Sequence, residues 1–162
     1  MTDGIRQVLQ EESDALRAYY EQAGILIARP AGGTSCRLAI SAKGGTNAEN
    51  HNHNDVGSYA VALGSETMVG DQGGPNSYPG DYFNGDAPQK YKIKGSFGHP
   101  VPVVDGRTQS SGGKAKGVVL QKEFTNEKDV FSINYTSAYS TPNLDKLIRT
   151  FVYDRQGKGS FT

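Results

Sequence analysis

The chain is short of histidine, cysteine and tryptophan, and each shortage narrows what it can be. Of its 162 residues three are histidine, one is cysteine and none is tryptophan. A single cysteine, Cys36, excludes an internal disulfide framework, and its expected place is a small buried position beside a strand. No apolar run reaches the length of about 18 residues that a membrane-spanning helix needs. The amino-terminal stretch is charged and has no apolar h-region, so it does not read as a signal peptide. Excess charge is missing too: 17 Lys+Arg face 17 Asp+Glu, and no global field points to nucleic acid or an anionic membrane. Mean hydropathy is low at −0.58, yet short apolar runs recur along the whole length. A chain of this size can bury one real core without staples.

What is plentiful is glycine, at 21 residues, with nine tyrosines; that mixture suits short strands joined by tight turns. Residues 3–21 read as a helix, because Ile5, Val8, Leu9, Leu16, Tyr19 and Tyr20 recur at three- and four-residue steps. After Gly24 the period changes. Ile25 to Arg29 is a compact apolar run stopped by Pro30, and Arg37 to Ala42 follows as its expected hairpin partner. Ser58 to Leu63 and Thr67 to Val69 form another hairpin around Gly64-Ser65. From Asp71 to Gly98 the chain is irregular, and so long an irregular stretch in a compact domain is often functional. Pro102–Asp105, Val118–Phe124, Val130–Tyr135 and Leu147–Tyr153 then read as strands, with Ser160-Phe161-Thr162 beginning a return strand and stopping. The expected fold is all-β, an antiparallel β-sandwich with a short N-terminal helix. The expected division is a connector at 1–22 and a β domain at 23–162, with a boundary that cuts the last hairpin.

Two of the three histidines fall within three positions. On a strand His51 and His53 would point to the same side. Asp71 sits at the end of the Met68-Val69 strand, and His99 heads the run Val101 to Val104. Two or three imidazoles with one carboxylate are a normal zinc set. Against this, an HxH pair occurs by chance, and isolated histidines are usually surface or satisfied core groups. Asp55 reads as a turn residue rather than a catalytic acid. Tyr135, Tyr139 and Tyr153 read as packing residues, and Lys114 and Lys116 as part of a solvated loop. A cupin-like metalloenzyme is one alternative, since Gly45 followed by His51 and His53 fits the first half of that family's motif. Its glutamate is missing, with Gly57 and Ser58 at the expected positions, and no second motif follows Pro75 or Pro79.

The run HNHNDVGSYAVALGSETMVGDQG, the block SFGHPVPVVDGRTQ and the strand AGILIARP together resemble the β domain of the heparinase II/III-like polysaccharide lyases, over about residues 20 to 155. One departure is Pro100, where an asparagine is usual. The resemblance implies that His53, Asp71 and His99 are zinc ligands and that His51 faces the substrate. It also implies that Tyr82, or less simply Tyr78, contacts the sugar. β-Elimination removes the C5 proton of a uronic acid, so the neighbouring carboxylate must be neutralised; His51, with Asn52 or Asn54, suits that task. In the family the base and acid come from an N-terminal α/α toroid, which these residues do not supply. The parent protein is therefore expected to be a lyase acting on uronate-containing polysaccharide, periplasmic or secreted, and these residues alone inactive or nearly so. The contrasting expectation is a non-catalytic carbohydrate-binding or structural module that keeps the metal as a brace.

Overall fold

The computed structural model describes residues 15–71 and 73–162. Eleven strands run through them: β1 Arg17–Tyr20, β2 Ile25–Ala28, β3 Leu38–Lys43, β4 Thr46–Asn47, β5 Tyr59–Leu63, β6 Glu66–Val69, β7 Gly112–Lys116, β8 Val118–Phe124, β9 Lys128–Asn134, β10 Ile148–Asp154 and β11 Ser160–Phe161. They make a five-stranded sheet ordered β1-β2-β3-β5-β6, a four-stranded sheet ordered β11-β10-β9-β8, and the pair β4-β7. Every pairing is antiparallel. Among the described residues the fold is almost all-β, and the one α-helical turn there, α1 Ala87–Lys90, lies in the irregular middle segment. Among the described residues no helix is long and apolar enough to cross a membrane.

Alternation along the strands explains the core. Leu26 and Ala28 on β2 and Ile40 and Ala42 on β3 are buried, while their neighbours are half-buried. Phe131 and Ile133 on β9 and Phe151 and Tyr153 on β10 join them in one hydrophobic cluster drawn from both larger sheets. Phe131 and Phe151 are direct cross-strand partners and stack at 6.2 Å between ring centroids. Each such side chain contributes roughly 1.5–3 kcal/mol through burial. Tyr135, Tyr139 and Tyr153 are core residues, as their sequence context predicts. Cys36 is buried as well, with its sulfur 3.7 Å from the Tyr153 hydroxyl.

The segment 15–21 departs from the helical reading. Arg17–Tyr20 is a strand paired with β2, and the rest of the expected helix, 3–14, lies outside the described residues. Tertiary contacts decide the matter. Tyr19 packs edge-on against Phe124 and Phe131, at 5.6 and 5.8 Å. Arg17 donates from Nε to the buried Asp129 carboxylate at 2.8 Å. The extended backbone satisfies both at once, and aromatic residues are at home in strands. Pro102–Asp105 also differs from expectation: only an isolated bridge joins Val104 to Arg107. Asp105 and Gly106 have φ of 50° and 70°, the Asp-Gly signature of a tight two-residue turn. Lys114 and Lys116, expected in a loop, lie on β7, which pairs with the two-residue β4.

Candidate metal centre and the cleft beside it

The histidine-bearing stretch is a loop, not a strand, between β4 and β5. His51 and His53 consequently do not share a face. His51 takes a left-handed backbone, φ 57°, a conformation that costs a non-glycine residue free energy and tends to appear where a side chain must be aimed. Its ring lies 4.4 Å from that of Phe83, tilted by 31°. Two residues on, His53 turns the other way and meets His99, with Nδ1 of the first 3.1 Å from Nε2 of the second.

Three segments remote in sequence deliver the cluster. His53 comes from the loop before β5. Asp71 comes two residues after β6. His99 comes at the end of the 3-10 turn Ser96–Gly98. One ligand atom from each lies within 4.8 Å of the others, close enough that a modest inward shift of the side chains would bring them to the bonds of about 2.0–2.2 Å that a divalent cation makes. The His99 side chain is almost wholly buried, whereas that of Asp71 is 48 % exposed and reaches His99 Nδ1 at 3.1 Å. That contact is of the kind by which a carboxylate orients a ligating imidazole. The imidazole of His53 is held below its ordinary pKa, first by burial and then by the neighbouring His99 ring. Both effects keep it in the neutral form that binds metal. The donor set therefore fits a divalent cation.

Beside the cluster opens a cleft of about 630 Å³, lined by Asn50, His51, Asn52, Phe83, Lys94 and Ser111 among others. Lys94 is its unusual member. It is 2 % exposed, and among the described residues no carboxylate lies within ion-pairing distance of it. Its ammonium donates to the Tyr82 carbonyl at 2.6 Å and sits 4.7 and 5.2 Å from the Tyr82 and Phe83 rings. Burial pushes its pKa down.

The residues singled out in the sequence fall into three groups. His53, Asp71 and His99 come together. His51 and Asn52 line the cleft and stay outside the cluster. Asn54 and Tyr82 face inward instead. Asn54 is 1 % exposed, and its amide donates to the Gln109 carbonyl and the Ser111 hydroxyl, each at 3.1 Å. Tyr82 is 2 % exposed, and its hydroxyl is buried without a hydrogen-bond partner. Burial, with Tyr78 and Asp71 nearby, raises its pKa. Asp55 pairs with Lys43 at 2.6 Å and so braces the loop. Lys94 and Phe83 were not legible as site residues, because an isolated lysine and phenylalanine in a Gly-, Tyr- and Lys-rich stretch carry no distinguishing spacing. Compared against family models and against curated proteins, the chain matches none.

Proposed function

We propose that the chain is a metal-braced β module that binds an acidic saccharide in the cleft beside the metal. The convergence of His53, Asp71 and His99 from three separate segments carries this reading. Two imidazoles and a carboxylate suit zinc, and the ion would tie the loop before β5, the end of β6 and the turn before His99 into one wall. In this reading the two larger sheets form a β-sandwich that takes in β1 at residues 17–20 as well as the expected span 23–162. The cleft supplies what a sugar needs: an aromatic face at Phe83 and several amide groups. It also holds a buried cation, Lys94, with no carboxylate paired to it among the described residues. A uronate carboxylate would complete that pairing.

A second reading, polysaccharide lyase, is favoured by one observation: His51 lies on the cleft wall, outside the metal cluster. A purely structural metal site has no use for that division. In the lyase reading His51 and Asn52 neutralise the uronate carboxylate, and the C4–O bond breaks as the C5 proton leaves. With the Tyr82 hydroxyl turned inward, base and acid come from an α/α toroid elsewhere in a longer periplasmic or secreted protein. The cupin-like reading needs His51 and His53 on one ion, which their opposite orientations disfavour.

Metal analysis of the purified chain beside His53→Ala and His51→Ala tests the division. About one zinc per chain, lost in His53→Ala and kept in His51→Ala, is the expected result. No metal in the wild type, or equal loss in both variants, would overturn it.

A further inference from the structure

The motif around Val104-Asp105-Gly106 ends in Gln109, a residue to which neither the metal nor the cleft assigns a role. Its side chain is 2 % exposed and every hydrogen-bonding position on it is filled. The amide oxygen accepts from the Val56 backbone N–H and from the Asn47 side chain, each at 3.0 Å. The amide nitrogen donates to the Val56 carbonyl at 2.7 Å and to the Tyr139 hydroxyl at 3.3 Å. Gln109 thus holds both polar groups of Val56 as a neighbouring strand would, where no strand is present. Its own backbone is tied on both sides. The N–H donates to the Ser96 hydroxyl at 2.9 Å, and the carbonyl accepts from Asn54 at 3.1 Å.

Those bonds have a common geometry. Val56 and Asn54 belong to the loop that carries His53. Ser96 opens the turn that carries His99. A further bond, from the Asn54 N–H to the Lys94 carbonyl at 2.8 Å, joins the same two segments. A loop and a 3-10 turn have no ladder of their own to fix their spacing, yet the two imidazole nitrogens they present stand 3.1 Å apart. We infer that Gln109 is the positioning residue of the metal centre: it supplies no ligand, but by stitching the His53 loop to the His99 turn it sets the spacing on which metal affinity depends. The inference rests on the metal-centre reading and deepens it. Its physical basis is preorganisation. A site whose ligands are already spaced gives up less ordering free energy when the ion arrives.

The test is a cobalt titration followed by visible absorption, run with thermal melts of the metal-free chain. Gln109→Glu is nearly isosteric; it keeps the acceptor but sets a carboxyl oxygen against the Val56 carbonyl. It should weaken Co2+ binding about tenfold, the lower end of the range seen for groups that orient metal ligands from outside the coordination shell. Ser96→Ala removes only one bond of the stitch and should weaken binding in the same direction by less, about threefold, which keeps the test decisive if Gln109→Glu fails to fold. The control is Ser132→Ala on β9, where a buried hydroxyl bonds Thr150 at 2.9 Å in the other sheet. It should lower the melting temperature and leave the dissociation constant within twofold. If Gln109→Glu or Ser96→Ala lowers the melting temperature while the cobalt dissociation constant stays within twofold of wild type, Gln109 is merely structural. If the wild type binds no cobalt, the metal-centre reading falls and this one with it; cobalt bound equally by all variants sinks only this one.

Discussion

Two buried cations in this chain are treated in opposite ways. Arg155, 4 % exposed, donates to the Arg29 carbonyl at 2.7 Å, to the Leu16 carbonyl at 3.0 Å, and to the Asp129 carboxylate. Asp129 in turn receives Arg17 on its other oxygen. Both oxygens of Asp129 and each guanidinium nitrogen of Arg155 meet a partner from the chain itself, and the cluster locks β1 to the β9–β10 sheet. Lys94 is as deeply buried but has one carbonyl and two ring faces for company. The carboxylates differ in the same sense. Asp129 is 1 % exposed and paired with two guanidiniums, whereas Asp71 is half-exposed and meets one imidazole and the Gly73 backbone N–H, with no cation paired to it among the described residues. A closed polar cluster is structure. One left short of partners, beside a cleft, is where a ligand or an ion completes the set.

The sharpest way to break that contrast is to open the closed cluster. Asp129→Ala leaves two guanidiniums facing each other in the interior and should cost about 3–5 kcal/mol of stability. Metal affinity should be unchanged, so urea melts and a metal titration on one preparation read both halves. If metal affinity collapsed as well, the two regions would not be separable.

Completing the open cluster has the next largest effect. Zinc at a hundredfold excess over its dissociation constant should stabilise the chain by about 2.7 kcal/mol, reversed by a chelator. Acid should undo it. The folded-state pKa of His53 lies below its unfolded value, so its contribution is present above about pH 6.5 and is lost as pH falls through the folded value, because there the unfolded chain binds more protons. Zinc competes with the same protons, so melts between pH 5 and 7 should show a steeper acid loss with zinc than without; identical slopes would count against His53 as a ligand.

The smallest effect concerns Lys94. Lys94→Met should leave stability unchanged or slightly raised, since an apolar side chain replaces a buried charge without a counter-ion. Affinity for a uronate oligosaccharide should fall about tenfold, roughly 1.4 kcal/mol, while a neutral oligosaccharide should bind the variant and wild type alike. Equal loss for both sugars would mean that Lys94 shapes the cleft rather than reading charge.

How far the sequence reached follows from these particulars. Residue type and order were enough to bring the three histidines and Asp71 to notice, because few side chains ligate metals and strand-end positions bring remote segments together; the choice of His53 over His51 came from the resemblance to the lyase family. The strands from β8 to β10 were legible from alternation alone. Direction within a loop was not. Period-two reasoning set His51 and His53 on one face, but the left-handed backbone at His51 aims them apart, and no local pattern encodes that. Asn54 looked like a sugar contact because an amide donor beside the histidines suits a uronate carboxylate, and only the tertiary fold shows that Gln109 and Ser111 occupy it. Arg17–Tyr20 carried helical spacing, and its pairing with β2 together with the Asp129 contact outweighed it.

The position of Asp71 has a further consequence. It follows β6, an edge strand whose Glu66, Thr67 and Met68 are all exposed, and whose pairing with β5 shifts register between Val61 and Ala62. Such an element opens at little free-energy cost, far below that of unfolding the core. His99 sits at the other extreme, buried and anchored. The route by which an ion held there would enter and leave is therefore asymmetric: fraying of one hairpin would swing the carboxylate away while both imidazoles held their places. Exchange of the ion should keep time with that hairpin and be indifferent to the lifetime of the folded core.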